Sequence, residues 1–190
     1  EIIKLKDVKD FGSEDSLHHL SILKKLALVY NLSLRQIEQV FTKLHIIFTT
    51  IERGLLQSYF RVFIFFEMLK SYNSDLYYDF ILNGNRAEEI KGLLISKFID
   101  ENIYRDASIM MEAIIDATGK TNIEYSDLIN LKSTEFKSIQ STMGKEYQRL
   151  SRYIEILEID FGHWGDFRLN SLIDKVLDKI EFVDRFNLET

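Results

Sequence analysis

Leu26-Ala27-Leu28-Val29-Tyr30-Asn31-Leu32-Ser33-Leu34-Arg35-Gln36-Ile37-Glu38-Gln39-Val40-Phe41 compresses the end of one helix, a tight turn and the capped start of another into a single short stretch. Asn31 belongs to the few residue types that take the left-handed conformation closing a helix. Ser33 is a preferred N-cap, and Gln36 three residues later completes a capping box. The spacing predicts a rigid corner with Arg35 in the first turn of the second helix. Two readings share these residues: a nucleotide-sensing lid of a larger ATPase, and a helix-turn-helix that reads DNA.

Helices extend from this corner in both directions. Gly12-Ser13 precedes a helix predicted from about Glu14 to Tyr30, with Leu17, Leu20, Leu23 and Leu28 on its apolar face. On the other side, Ile37, Val40, Phe41, Leu44, Ile47, Phe48 and Ile51 recur at intervals of three and four, which predicts an amphipathic helix to about Arg53 and a break at Gly54. Leu55 to Ser71 is apolar around most of its circumference and is therefore predicted to be central. Asn73 or Ser74 caps a short helix that Asn83-Gly84 ends, and Asn85 with Glu88 predicts the cap of a helix over 86–98. Further helices are expected over 105–117 and, after Thr118-Gly119, between Ser126 and Phe161, with a break near Ser133 or Gly144. The closing helix, 166–186, repeats Leu169, Ile173, Val176, Ile180 and Val183. Gly162-His163-Trp164-Gly165 joins the last two helices, which predicts an antiparallel αα-hairpin with facing seams. The fold class is all-α, a multi-helix bundle ending in that hairpin.

Composition agrees with this reading. The chain has 190 residues, 46% of them apolar and 28% charged, typical of a globular protein able to bury a sizeable core. It contains no proline, which together with abundant Leu, Ile, Lys, Glu and Phe favours helices with short connections. It contains no cysteine, which removes disulfides, thiolate zinc sites and a cysteine nucleophile, and allows a cytoplasmic location. The most apolar window, Tyr59 to Leu69, carries Arg61 and Glu67 and is too short for a membrane span. The start at Glu1 shows no signal peptide and no initiating methionine, so the chain is expected to be a piece of a longer polypeptide. A net charge of −6 argues against a general nucleic-acid-binding surface.

The run from Tyr30 to Phe41 resembles a segment of the KAP family of P-loop NTPases that lies C-terminal to the nucleotide-binding core. Phe63-Ile64-Phe65-Phe66-Glu67-Met68-Leu69-Lys70-Ser71-Tyr72-Asn73-Ser74-Asp75-Leu76-Tyr77-Tyr78-Asp79-Phe80 is similar to the same family's hydrophobic helix and the acidic-Leu-Tyr step after it, with Ser74 where the family often has proline. The similarity covers about residues 24–95. It implies a lid-like helical region over residues 1–100, with an extension of unassigned role over 101–190. The partner it implies is an upstream NTPase core of the same polypeptide, which would hold ATP and magnesium; the parent protein is then an ATPase, in some members membrane-associated. It also places Arg35 where such a region supplies a basic side chain to the terminal phosphate. An arginine suits this contact because its planar fork binds phosphate oxygens at two points and stays charged. The competing reading of Arg35 is a plain ion pair with Glu38.

Other motifs carry less. Thr118-Gly119-Lys120-Thr121 lacks the glycine that a phosphate-binding loop needs five positions before Gly119, where Ile114 stands, so the chain by itself is not expected to be an enzyme or to hold a cofactor. Gly119 reads instead as a helix C-cap. His18, His19, His45 and His163 show no metal-ligand spacing. In the DNA reading, Arg35, Gln36 and Gln39 face a groove and Lys24, Lys25 and Lys43 supply basic charge. A further alternative is a stand-alone interaction or self-association module working through the terminal hairpin, with Trp164 at its tip as an anchor.

Overall fold

The computed structural model describes residues 22–50, 53–98, 105–139, 144–158 and 169–186, and among them there are helices and turns but no strand. The helices are α1 (22–29), α2 (Leu34–Thr50), α3 (Arg53–Tyr72), α4 (Ser74–Asn83), α5 (Ala87–Phe98), α6 (Arg105–Ala117), α7 (Asn122–Ile139), α8 (Lys145–Glu158) and α9 (Leu169–Phe186). The all-α reading of the sequence is what the structure displays.

Helix α3 is central, as its apolar circumference predicts. Every residue from Val62 to Leu69 is buried, Glu67 included. The apolar side chains among them each contribute about 1.5–3 kcal/mol through removal from water. Helices α2, α4, α6 and α9 pack around α3, and α6 is a second hub that meets α5, α8 and α9, while α7 leans on α8. The stripe Leu169, Ile173, Val176, Ile180 and Val183 of α9 is buried throughout. Because α9 lies against α2, α3 and α6, packing runs across the boundary at residue 100.

Local chemistry sets most of the ends. Asn73 caps α4 by accepting from the Leu76 amide at 3.0 Å, and Gly84 closes it at φ 66°. Gly119 closes α6 at φ 71°. Thr121 and Glu124 form a capping box, with Thr121 N donating to Glu124 Oε2 at 2.8 Å and the Glu124 amide donating to Thr121 Oγ1 at 3.3 Å. That box starts α7 at Asn122, earlier than the expected Ser126, so the phosphate-loop lookalike is a C-cap followed directly by an N-cap.

Three expectations need amendment, and a break left open between two positions is decided. Gly54 lies within α3. Ser133 lies within an unbroken α7, and the interruption falls near Gly144. Asn85 does not cap α5; its side chain donates to Asp79 at 3.3 Å, and Arg86 precedes the helix at φ 62° with its guanidinium on Glu89. Lastly, α8 packs chiefly on α6 and α7, and α9 on α3, α6 and α2, so the two share α6 as a neighbour rather than forming a mutual seam. Their connection, Trp164 included, lies outside the described residues. Among those residues, no helix is long and apolar enough to cross a membrane.

Candidate functional site

The α1–α2 corner forms as its sequence dictates. Asn31 takes φ 50°, the Leu32 amide donates to Ala27 O at 3.0 Å, and the helix begins again at Leu34. Ser33 N donates to Gln36 Oε1 at 2.9 Å, and the Gln36 amide donates back to Ser33 Oγ at 3.3 Å. A tertiary tie strengthens this cap: Gln36 Nε2 donates to the Ser71 carbonyl at 2.7 Å, at the C-terminal end of α3. Beside it, the Tyr30 ring stacks on Tyr72 with centroids 4.9 Å apart. The corner is thus pinned to the molecule's central helix at two points.

Arg35 projects from this pinned turn. It is exposed, and no described residue forms an ion pair with it; Glu38, three residues on, does not reach it. Leu28, expected on the apolar face of its helix, and Leu34, in the same corner, are instead 66% and 72% exposed. The result is a guanidinium unpaired among the described residues, on a rigid turn that also exposes two leucines. For the groove-reading alternative, two of its side chains are engaged elsewhere: Gln36 holds Ser71, and Lys43 turns inward to Glu67 and Asp184.

That inward turn leads to a charged cluster where α2, α3, α4 and α9 meet. Lys43 Nζ sits 2.5 Å from Asp184, and Lys70 Nζ sits 2.5 Å from Asp184 and 2.7 Å from Glu181. Tyr77 Oη donates to Glu181 at 3.4 Å. The Lys70 ammonium lies over the Tyr77 and Tyr78 rings at 4.8 and 4.7 Å. Below them, Glu67 is wholly buried and neither carboxylate oxygen has a hydrogen-bond partner; its nearest cation is Lys43 at 3.9 Å. Burial pushes the Glu67 carboxyl up to about 7, opposed by Lys43 and aided by the negative charge of Asp184. Burial also acts to raise Asp184, but hydrogen bonds from Lys43 and Lys70 outweigh it and hold that carboxyl below its ordinary value. Lys70 is desolvated, yet its bonds to Asp184 and Glu181 prevail and raise it.

Sequence reasoning did not foresee this cluster. Its one local signal was Glu67 itself, a lone carboxylate in the apolar run Val62 to Leu69. The partners on α9 stand more than a hundred residues away in the chain.

A second network ties α5, α6 and α8: Lys91 to Asp116 at 2.6 Å, Tyr153 Oη donating to Asp116 at 2.6 Å, and Arg149 to Glu112 at 2.5 Å. All its charges are matched, which suits a structural tie. Between α7 and α8 runs an open groove of about 620 Å³ lined by Phe136, Lys137, Ile154, Glu155 and Glu158. Among the described residues no group of three or more His, Asp or Glu side chains is placed to hold a metal ion. Comparison with protein-family models, with curated proteins and with solved structures finds no match to this chain.

Proposed function

We propose that this chain is the helical lid and regulatory region of a KAP-like P-loop NTPase, sensing the nucleotide held by a core elsewhere in the same polypeptide. The observation that carries the reading is Arg35: an exposed guanidinium, unpaired among the described residues, on a capped turn tied to Ser71. An arginine left without a carboxylate is free for an external anion. A rigid base lowers the entropy lost when it meets a phosphate. Leu28 and Leu34 supply apolar area for docking on the core, while Arg35 reaches the terminal phosphate. Loss of that phosphate on hydrolysis removes the contact and releases the corner, so the nucleotide state is converted into movement of the helical region.

In the polypeptide that carries the core, Arg35→Ala is expected to lower ATP turnover by about a thousandfold or more, the scale on which arginines that neutralise transferring phosphoryl groups act. Thermal stability should be unchanged, because the side chain is exposed and holds no ion pair among the described residues. ATP turnover equal to the parent protein's removes Arg35 from the site. A reading frame with no phosphate-binding loop ahead of Glu1 overturns the reading as a whole.

A further inference from the structure

Three buried or half-buried carboxylates, Glu67, Glu181 and Asp184, share two ammonium groups, Lys43 and Lys70. The hydrogen bonds are divided unevenly. Asp184 takes both lysines, Glu181 takes Lys70, and Glu67 takes neither, with Lys43 at 3.9 Å and both of its oxygens unpartnered. If Glu67 carries a proton, the cluster holds two positive and two negative charges. If Glu67 is ionised, one uncompensated negative charge lies in the core, where an unpaired charge is strongly disfavoured.

We propose that Glu67 is a proton-operated latch for α9: protonated, it leaves Lys43 and Lys70 to Asp184 and Glu181 and α9 docks; ionised, it competes for those lysines and loosens α9.

The groups facing Glu67 come from each helix packed around it. They are Lys43 from α2, Lys70 from α3, Tyr77 from α4, and Glu181 and Asp184 from α9, while Tyr78 of α4 meets Lys70 instead. On α6, which also touches α3, the carboxylates of Glu112 and Asp116 are turned to Arg149 and to Lys91 and Tyr153. No described cation is therefore left to neutralise Glu67 without taking a lysine from α9. The elevated proton affinity that burial gives this carboxyl puts the transition near neutral pH. Helix α9 is the responsive element because both competing carboxylates belong to it, whereas both lysines belong to α2 and α3.

The latch needs no nucleotide and no partner, so its failure leaves the Arg35 reading untouched. The test is amide hydrogen exchange of residues 169–186 in the chain as given, compared with Glu67→Gln at each pH so that the intrinsic pH dependence of exchange cancels. Relative to the variant, α9 of the parent protein is expected to exchange about tenfold or more faster at about pH 8, and at nearly the same rate at about pH 5. Equal exchange in both proteins at both pH values overturns the proposal. Carbon-13 NMR of the glutamate carboxyls gives an independent readout should the variant fail to fold. Glu67 should titrate near neutrality in the parent protein and at lower pH in Asp184→Asn, where a competing negative charge is gone. Titration of Glu67 in the ordinary carboxylate range, or a midpoint unmoved in Asp184→Asn, equally overturns it.

Discussion

Two buried tyrosines show how much one hydroxyl depends on its partner. Tyr30 packs its ring on Tyr72, but its hydroxyl is buried with no hydrogen-bond partner, and burial raises its proton affinity above the ordinary phenol value. Tyr153 places its hydroxyl 2.6 Å from Asp116. The same substitution should therefore have opposite effects. Tyr30→Phe removes an unsatisfied polar group and is expected to leave stability unchanged or raise it by up to about 1 kcal/mol. Tyr153→Phe deletes a hydrogen bond to a charged acceptor and is expected to lower stability by about 1.5–3 kcal/mol. Urea unfolding of the two variants checks both signs, and a loss in Tyr30→Phe comparable to that in Tyr153→Phe refutes the contrast. At this scale the chain was legible wherever chemistry acts over three or four residues. Asn31 and the Ser33–Gln36 pair read correctly from sequence, whereas the positive φ of Arg86 has no local residue signal, since arginine rarely adopts it.

Among the helices, boundaries set by caps were readable and those set by distant partners were not. Asn73, Gly84 and Gly119 mark ends in agreement with their residue types. Asn85 failed as a cap because Asp79, on the neighbouring helix, takes its side chain. The expected seam between the last two helices came from matching stripes on each, but a stripe records that a face is buried and not what buries it. Here α6 receives both. Gln36 combines the two situations, being a local capping-box residue whose amide nitrogen also holds Ser71 across the fold. Gln36→Ala loses both and is expected to destabilise the chain by about 1–3 kcal/mol, more than the roughly 1 kcal/mol of an ordinary cap. Gln36→Glu retains the cap but sets an acceptor against the Ser71 carbonyl in place of the donor, so its stability should fall below the parent protein's in denaturant titrations. A Gln36→Glu protein as stable as the parent protein excludes the tertiary tie as a source of stability.

For the molecule as a whole, the charges at the junction of α2, α3, α4 and α9 make stability depend on pH in two opposing ways. Asp184 binds a proton less tightly when folded than its ordinary 3.8, so its contribution is present above that pH and is lost as the medium becomes more acid. Glu67 behaves in reverse. Its carboxyl is raised from 4.5 to about 7, so the folded chain binds a proton that the unfolded chain has released, and its contribution, complete below 4.5, is lost as pH rises through about 7. The interval corresponds to on the order of 3–4 kcal/mol, a large share of the margin of a domain this size. Lys70 is raised as well, but its contribution is lost only above the ordinary lysine value and does not enter this window. Stability should therefore peak on the acid side of neutrality, between roughly pH 4 and pH 6, and decline towards about pH 8. Thermal melts across that range should show the decline in the parent protein and a markedly flatter profile in Glu67→Gln. A parent protein most stable at pH 8, or a Glu67→Gln protein with the same slope, would show that the buried carboxyl does not govern the pH response of the fold.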